Sequence, residues 1–186
     1  MELEQAIRTR RATRAFTPEP VDQAQIRSLI DLAVQAPSAV NRQTWSFSVV
    51  RDRDLMRKIS DASKRHLLQT SPAGVLTDEL SQMLGNAEFH IFYHAPAMIL
   101  ISGIAGDPWS QIDCALAAEN LMLAACDAGL GTCWIGFAQG WLGTEEGRAT
   151  LDLPASSVPV APIIVGHPAA PAQPVPRKEP AIDWIG

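Results

Sequence analysis

Ile26, Leu29, Ile30, Ala33 and Val34 recur at i, i+3, i+4, i+7 and i+8, which is the apolar stripe of one amphipathic helix. Asp22 and Gln25 form a capping-box pattern ahead of it, with Pro20 upstream, and Pro37 stops it. Trp45 to Val50 reads as a strand. A polar helix follows over about Asp54 to His66, Gln69 to Val75 is loop-like, and Leu80, Met83, Leu84 and Ala87 mark another helix. The compact apolar run Ala97 to Ile101 fits a buried strand. Gln111 to Ala128 is a long helix whose only charges are Asp113, Glu119 and Asp127. A helix apolar nearly all round is buried nearly all round. Gly129 and Gly131 fit its C-cap. Thr132 to Ile135 and Val160 to Val165 read as buried strands, and a proline-rich segment leads to a small last strand, Ala181 to Ile185.

At 186 residues, with 47% hydrophobic and 19% charged side chains, the chain fits one globular domain over 1–186. The formal charge of −5 argues against a nucleic-acid partner, which wants a basic face. The first residues carry acids where a signal peptide carries bases. The uncharged stretch Leu153 to Pro176 holds seven of the fourteen prolines, too many for a membrane span. Cys114, Cys126 and Cys133 are odd in number and lack CxxC spacing. These features predict a soluble, cytoplasmic protein with no membrane partner. No GxGxxG or Walker pattern occurs, and Gly103-Ile-Ala-Gly106 has the wrong spacing, so a Rossmann or P-loop fold is not expected.

Four segments carry candidate chemistry. Arg8, Arg10, Arg11 and Arg14 place four of the fifteen basic residues within seven positions, with no acid between Glu4 and Glu19. Guanidiniums so close repel unless solvent or an anion compensates them, and their planar fork suits phosphate. The alternative is a solvated turn. Ala36 to Trp45 carries hydroxyl and amide side chains among small ones, able to offer hydrogen bonds to a flat heteroaromatic edge, or simply a helix-to-strand loop. In Gly129 to Gly136, the last glycine follows a strand and would permit close approach of a ligand plane to backbone. Arg177-Lys178 follows the proline-rich run. It would add to a phosphate site if the fold brought it near Arg10 and Arg14. The tail ends in Ile182, Trp184 and Ile185, an apolar tip expected to dock on its own subunit or on a partner.

In this order and at these separations, the segments resemble the FMN-dependent nitroreductase family. The matching residues are Arg10-Arg11-Ala12-Thr13-Arg14-Ala15-Phe16 and Ala36-Pro37-Ser38-Ala39-Val40-Asn41-Arg42-Gln43-Thr44-Trp45. Further on come His94-Ala95-Pro96, then Gly129 to Gly136, and Val160 to Pro168. The similarity spans roughly residues 5 to 180.

The resemblance implies an α+β fold, with a central mixed sheet flanked by helices. It also implies an intertwined homodimer whose C-terminal segment docks on the partner. Arg10, Arg11, Ala12, Arg14, Arg177 and Lys178 would surround the FMN phosphate. Pro37, Ser38, Ala39, Asn41 and Gln43 would reach the flavin from the other subunit, and Trp134, Ile135 and Gly136 would pass its N5. Ala12 stands where the family often has serine, and Thr44 where it has proline. The remaining arginines, at about 1.5–3 kcal/mol per charge-assisted contact, outweigh one lost hydroxyl at about 0.5–1.5 kcal/mol.

The implied activity is NAD(P)H-dependent reduction of nitroaromatics, quinones or similar electron-poor compounds by ping-pong hydride transfer, with NADH or NADPH as donor. It needs no catalytic side chain, because the cofactor carries the difficult step. An oxidase, desaturase or reductive dehalogenase on the same scaffold, or a non-enzymatic flavin-binding dimer, are the alternatives. His90 and His94 are four apart but lack a carboxylate pattern, so no metal is expected. Cys133 reads as a packing residue.

Overall fold

The computed structural model describes all of residues 1–186. Seven α-helices and four strands alternate along the chain. They are α1 (Leu3–Thr9), α2 (Gln23–Ala33), β1 (Ser46–Val50), α3 (Arg53–Thr70), α4 (Asp78–Gly85), β2 (Ala97–Ile104), α5 (Ser110–Asp127), β3 (Gly131–Trp134), α6 (Gly136–Leu142), α7 (Glu145–Thr150) and β4 (Ser157–Gly166). The capping box forms as read: Asp22 accepts from the Gln25 amide at 2.6 Å, and the Gln25 side chain accepts from the Asp22 amide at 3.0 Å. Helix α3 runs into the segment read as loop and ends at Thr70.

The sheet order is β1-β2-β4-β3, and every ladder is antiparallel. Its mixed character reduces to one parallel bridge, Ala12 to Thr132. Alternation along the strands divides two cores. Ile99, Ile101, Ile163 and Val165 face α2 and α5, whereas Met98, Leu100 and Ile164 face α3, α4 and α6. Helix α5 is buried along most of its length, as its composition required.

Two prolines shape the central strand β4. Pro159 pairs with Ser102, and the register shifts between Ile101 and Ser102, leaving Val160 as the extra residue of a bulge. Pro162 accepts the Ile135 amide at 2.8 Å. In an antiparallel ladder one residue's N–H and C=O point to the same neighbour, so Pro162 has no donor to return. Strand β3 ends there, and the chain turns into α6. That turn puts Gly136 at the sheet's rim.

Two readings need correction. Gly129, at φ +73°, suits the end of α5, but Gly131 opens β3 instead. A Cβ on Gly131 would lie 2.6 Å from Thr13 Oγ1, so the missing side chain lets the N-terminal segment pack on the strand. Residues 181–185 form no strand; the exposed prolines of the tail leave it extended. Helices α6 and α7 carry no sequence expectation here. Gly136 and Gly140 weaken the helical pattern of α6, and α7 is six residues long.

Candidate functional site

The N-terminal segment after α1 is stitched to the sheet by backbone. Thr13 donates to Thr132 O and Thr17 to His167 O, each at 2.9 Å, and Ala169 donates to Ala15 O at 3.0 Å. Phe16 bridges Pro168. The proline-rich tail therefore returns along the arginine segment. Together they line a cleft of about 460 Å³, in which Arg10, Arg11 and Arg14 meet Arg177 from the opposite end of the chain. Ala12 also lines it, and Lys178 does not. Arg8 lies outside it, paired with Glu4 at 2.7 Å.

The arginines are only partly compensated. Arg10 Nε approaches Glu119 Oε1 at 3.3 Å, outside hydrogen-bonding geometry. Arg11 donates through Nη1 to Arg10 O at 2.6 Å, while its own Nε, like that of Arg10, is buried without an acceptor. Arg14 lies with its guanidinium carbon 6.0 Å from the Tyr93 ring centre. Two buried donors without acceptors, among like charges, give the cleft the chemistry of an anion site.

The Pro37 to Gln43 loop occupies a separate surface. Ala39 donates its amide to both carboxylate oxygens of buried Asp113, at 3.1 and 3.3 Å. Gln43 donates its amide to Ser38 Oγ at 3.0 Å and its side chain to Asn41 Oδ1 at 3.0 Å. Val40, Asn41 and Gln43 all hold left-handed backbone, at φ 45°, 58° and 52°. Such a conformation is costly for β-branched valine, and it persists where surroundings over-determine it. With Trp109 just before α5 and Ile112 and Leu116 on it, Pro37, Ala39 and Val40 form an apolar hollow of about 550 Å³. This hollow and the arginine cleft have no lining residue in common.

At the rim, Trp134 is half-buried in the last pair of β3, opposite Ile163. The Ile135 amide is committed to Pro162 O, whereas that of Gly136 stands at the start of a helix. A Cβ on Gly136 would meet nothing within 4 Å, which leaves open space above the backbone. Cys133 lies behind it; burial pushes its thiol pKa up, offset in part by Arg14 and Arg10.

Glu119, Asp113, Thr13 and Tyr93 belong to the site and carried no role in the sequence reading. Asp113 and Glu119 had a signal, since charges inside a helix this apolar need partners.

Comparison with known proteins adds the following. A family model described as the nitroreductase family matches residues 7–167. A protein of Archaeoglobus fulgidus, provisionally named an NADH dehydrogenase/NAD(P)H nitroreductase, is 32% identical over 162 residues, covering 87% of this chain and 83% of its own. A crystal structure of a nitroreductase with bound FMN from Bacteroides fragilis superimposes at TM-score 0.87 with 22% identity over all of both chains. An FMN-dependent nitroreductase from Clostridium difficile superimposes at 0.81 with 25% identity over 99% of each.

His90 and His94 lie 4.8 Å apart between ring centres with their planes tilted by 48°, and no group of three possible ligands accompanies them. His90 Nδ1 accepts the Phe92 amide at 3.1 Å, which fixes the neutral ring with its proton on Nε2. Burial, and then the charge of His94, push the His90 pKa from 6.5 down to about 4. Between those two values the unfolded chain binds the proton and the folded one does not, so acid favours unfolding. Denaturant titrations from pH 7 to pH 4 should therefore show the wild type losing stability relative to His90→Gln. The loss is on the order of 1 kcal/mol, discounted because the ring is partly exposed. A difference that does not change with pH would sink this account of His90.

Proposed function

The chain belongs to the nitroreductase family, and from that premise we propose that it is an FMN-dependent oxidoreductase. It reduces nitroaromatics, quinones or similar electron-poor compounds with NADH or NADPH. The observation that carries this reading is the arginine cleft. Arg10, Arg11, Arg14 and Arg177 converge there, with two buried Nε donors that no protein acceptor satisfies. A phosphate monoester is the acceptor that fits such a set, because each guanidinium can present two parallel donors to its oxygens. The FMN dependence of the Clostridium difficile protein supports the cofactor, and the name of the Archaeoglobus fulgidus relative supports the nicotinamide donor.

FMN, held at its phosphate by Arg10, Arg11, Arg14 and Arg177, would supply the two-electron chemistry that links the nicotinamide donor to the acceptor. The protein's residues hold and orient. Arg10, Arg11, Arg14 and Arg177 grip the phosphate, with Glu119 keeping Arg10 in place and Tyr93 flanking Arg14. Gly136, with open space above it, lets the flavin plane approach the backbone and offers one amide to it. Cys133 stays protonated beneath and takes no part as a nucleophile. No side chain of the rim is placed as a general acid or base.

The working molecule is a homodimer. The Pro37 to Gln43 loop is pre-shaped by Asp113 and Ser38, yet it sits apart from the arginine cleft of its own chain, so its amides serve the partner's flavin. Supporting this, Trp109, which caps α5, and Ile112 and Leu116 on it are 55%, 51% and 43% exposed beside Val40 at 91%. Apolar surface gathered in this way marks an interaction site. The tail tip, with Trp184 and Ile185 almost fully exposed, docks on the second subunit in the same assembly. No helix is long and apolar enough to cross a membrane.

Two variants test the reading. Arg10→Ala combined with Arg14→Ala removes two charge-assisted contacts and should weaken FMN at least about a hundredfold, while the dimer mass is unchanged. Stoichiometric flavin retained after gel filtration would show that the phosphate is held elsewhere. Ile112→Glu with Leu116→Glu should yield a monomer by light scattering that has also lost flavin, its arginines intact. A flavin-loaded dimer in that variant would rule out this face as the interface.

A further inference from the structure

A second basic cleft lies between the start of α3 and the turn that precedes β2. It encloses about 270 Å³, against roughly 30 Å³ for one water in the liquid. Arg53, Arg57, His90 and His94 line it, together with Phe16 and Thr17, and no acidic side chain does. It has no lining residue in common with the arginine cleft of the two chain ends. The charges around it are sparsely matched. Arg57 is 3.9 Å from Asp54, and Arg53 spends one donor on Pro18 O at 3.1 Å. The nearby Glu19 lies toward His167, at 3.8 Å. Thr17, held through its backbone to His167, has its Oγ1 buried with no hydrogen-bond partner. His90 presents its protonated Nε2, since Nδ1 accepts from Phe92.

We propose that this cleft is a second anion site, which takes a phosphate group, either free or carried on a nucleotide. Two guanidiniums and two imidazoles supply the donors that a tetrahedral oxyanion needs, and the carboxylates nearby, Asp54 beside Arg57 and Asp61 acting on His90, stay outside the cleft's lining. The histidines carry the site's consequence. His94 and its neighbour Tyr93 both hold left-handed backbone, at φ 54° and 51°. Tyr93 lays its ring against Arg14 on the far side of the turn. An anion that fixes His90 and His94 thus braces the turn that flanks Arg14.

Titration calorimetry on the protein as purified, at low ionic strength, tests this with inorganic phosphate as one probe and adenosine 2′,5′-bisphosphate as another. One phosphate per chain should bind to the wild type. Arg57→Gln with His94→Gln should weaken it tenfold or more, with the circular dichroism and bound flavin unchanged. Arg57→Gln alone, on an exposed side chain, serves if the double variant unfolds. It should weaken binding in the same direction. Adenosine 2′,5′-bisphosphate binding tenfold tighter than phosphate, with the same sensitivity, identifies a nucleotide as the source, and equal affinities identify free phosphate. No binding to the wild type overturns the proposal, as does an affinity indifferent to Arg57. Binding abolished by Arg10→Ala also overturns it, because the anion then belongs to the other cleft.

Discussion

Three backbone hydrogen bonds tie the arginine segment and the returning tail to the end of the sheet, and the rest of the site depends on them. Four guanidiniums would separate if only their charges decided. Thr13, Thr17 and Ala169 hold the two strands of chain in register, so that Arg10, Arg11 and Arg14 face Arg177. Gly131 makes this possible sterically, since any side chain there would collide with Thr13. The repulsion stored in the cleft is what a bound anion would relieve. Fold and binding chemistry meet at that seam.

Helix α5 links this seam to the other half of the site. Its carboxylates serve two functional segments at once. Asp113 receives the Ala39 amide and Glu119 faces Arg10, six residues on, or about 9 Å along the axis. The same helix is buried on its sheet side and bare along Trp109, Ile112 and Leu116. In the proposed dimer an element of this kind would align two clefts of different subunits, being both the core of one chain and the face turned to another. The left-handed run at Val40, Asn41 and Gln43 fits that arrangement. Its strain is sustained by bonds to Ser38 and Asp113, which leaves the loop shaped before any ligand arrives.

Much of this was legible in residue order. The stripe from Ile26 to Val34 with its capping box, the apolar run of β2 and the nearly uncharged α5 all appear where their patterns placed them, because each is long or strongly periodic. Prolines and glycines were harder to read. Pro159 and Pro162 hid the full length of β4, which accommodates one with a bulge and uses the other to end β3. Gly131 resembled a helix cap, although its role is to make room for Thr13. The apolar tip at Ile182 to Ile185 suggested a strand, whereas proline-rich backbone leaves the tail extended and exposed. Arg177 was foreseen as a partner of Arg10 only if the fold closed the chain's ends together, a condition that spacing alone could not decide. Tyr93 had no local signal at all, since its contact with Arg14 arises from a left-handed turn between non-glycine residues.

Native mass spectrometry of the protein as isolated tests the central claim most directly, because it weighs chains and mononucleotides in one particle. The account predicts a yellow species of two chains carrying two FMN, from which each chain leaves without flavin on dissociation. A colourless single chain, or a single chain that keeps its flavin unaided, would contradict it.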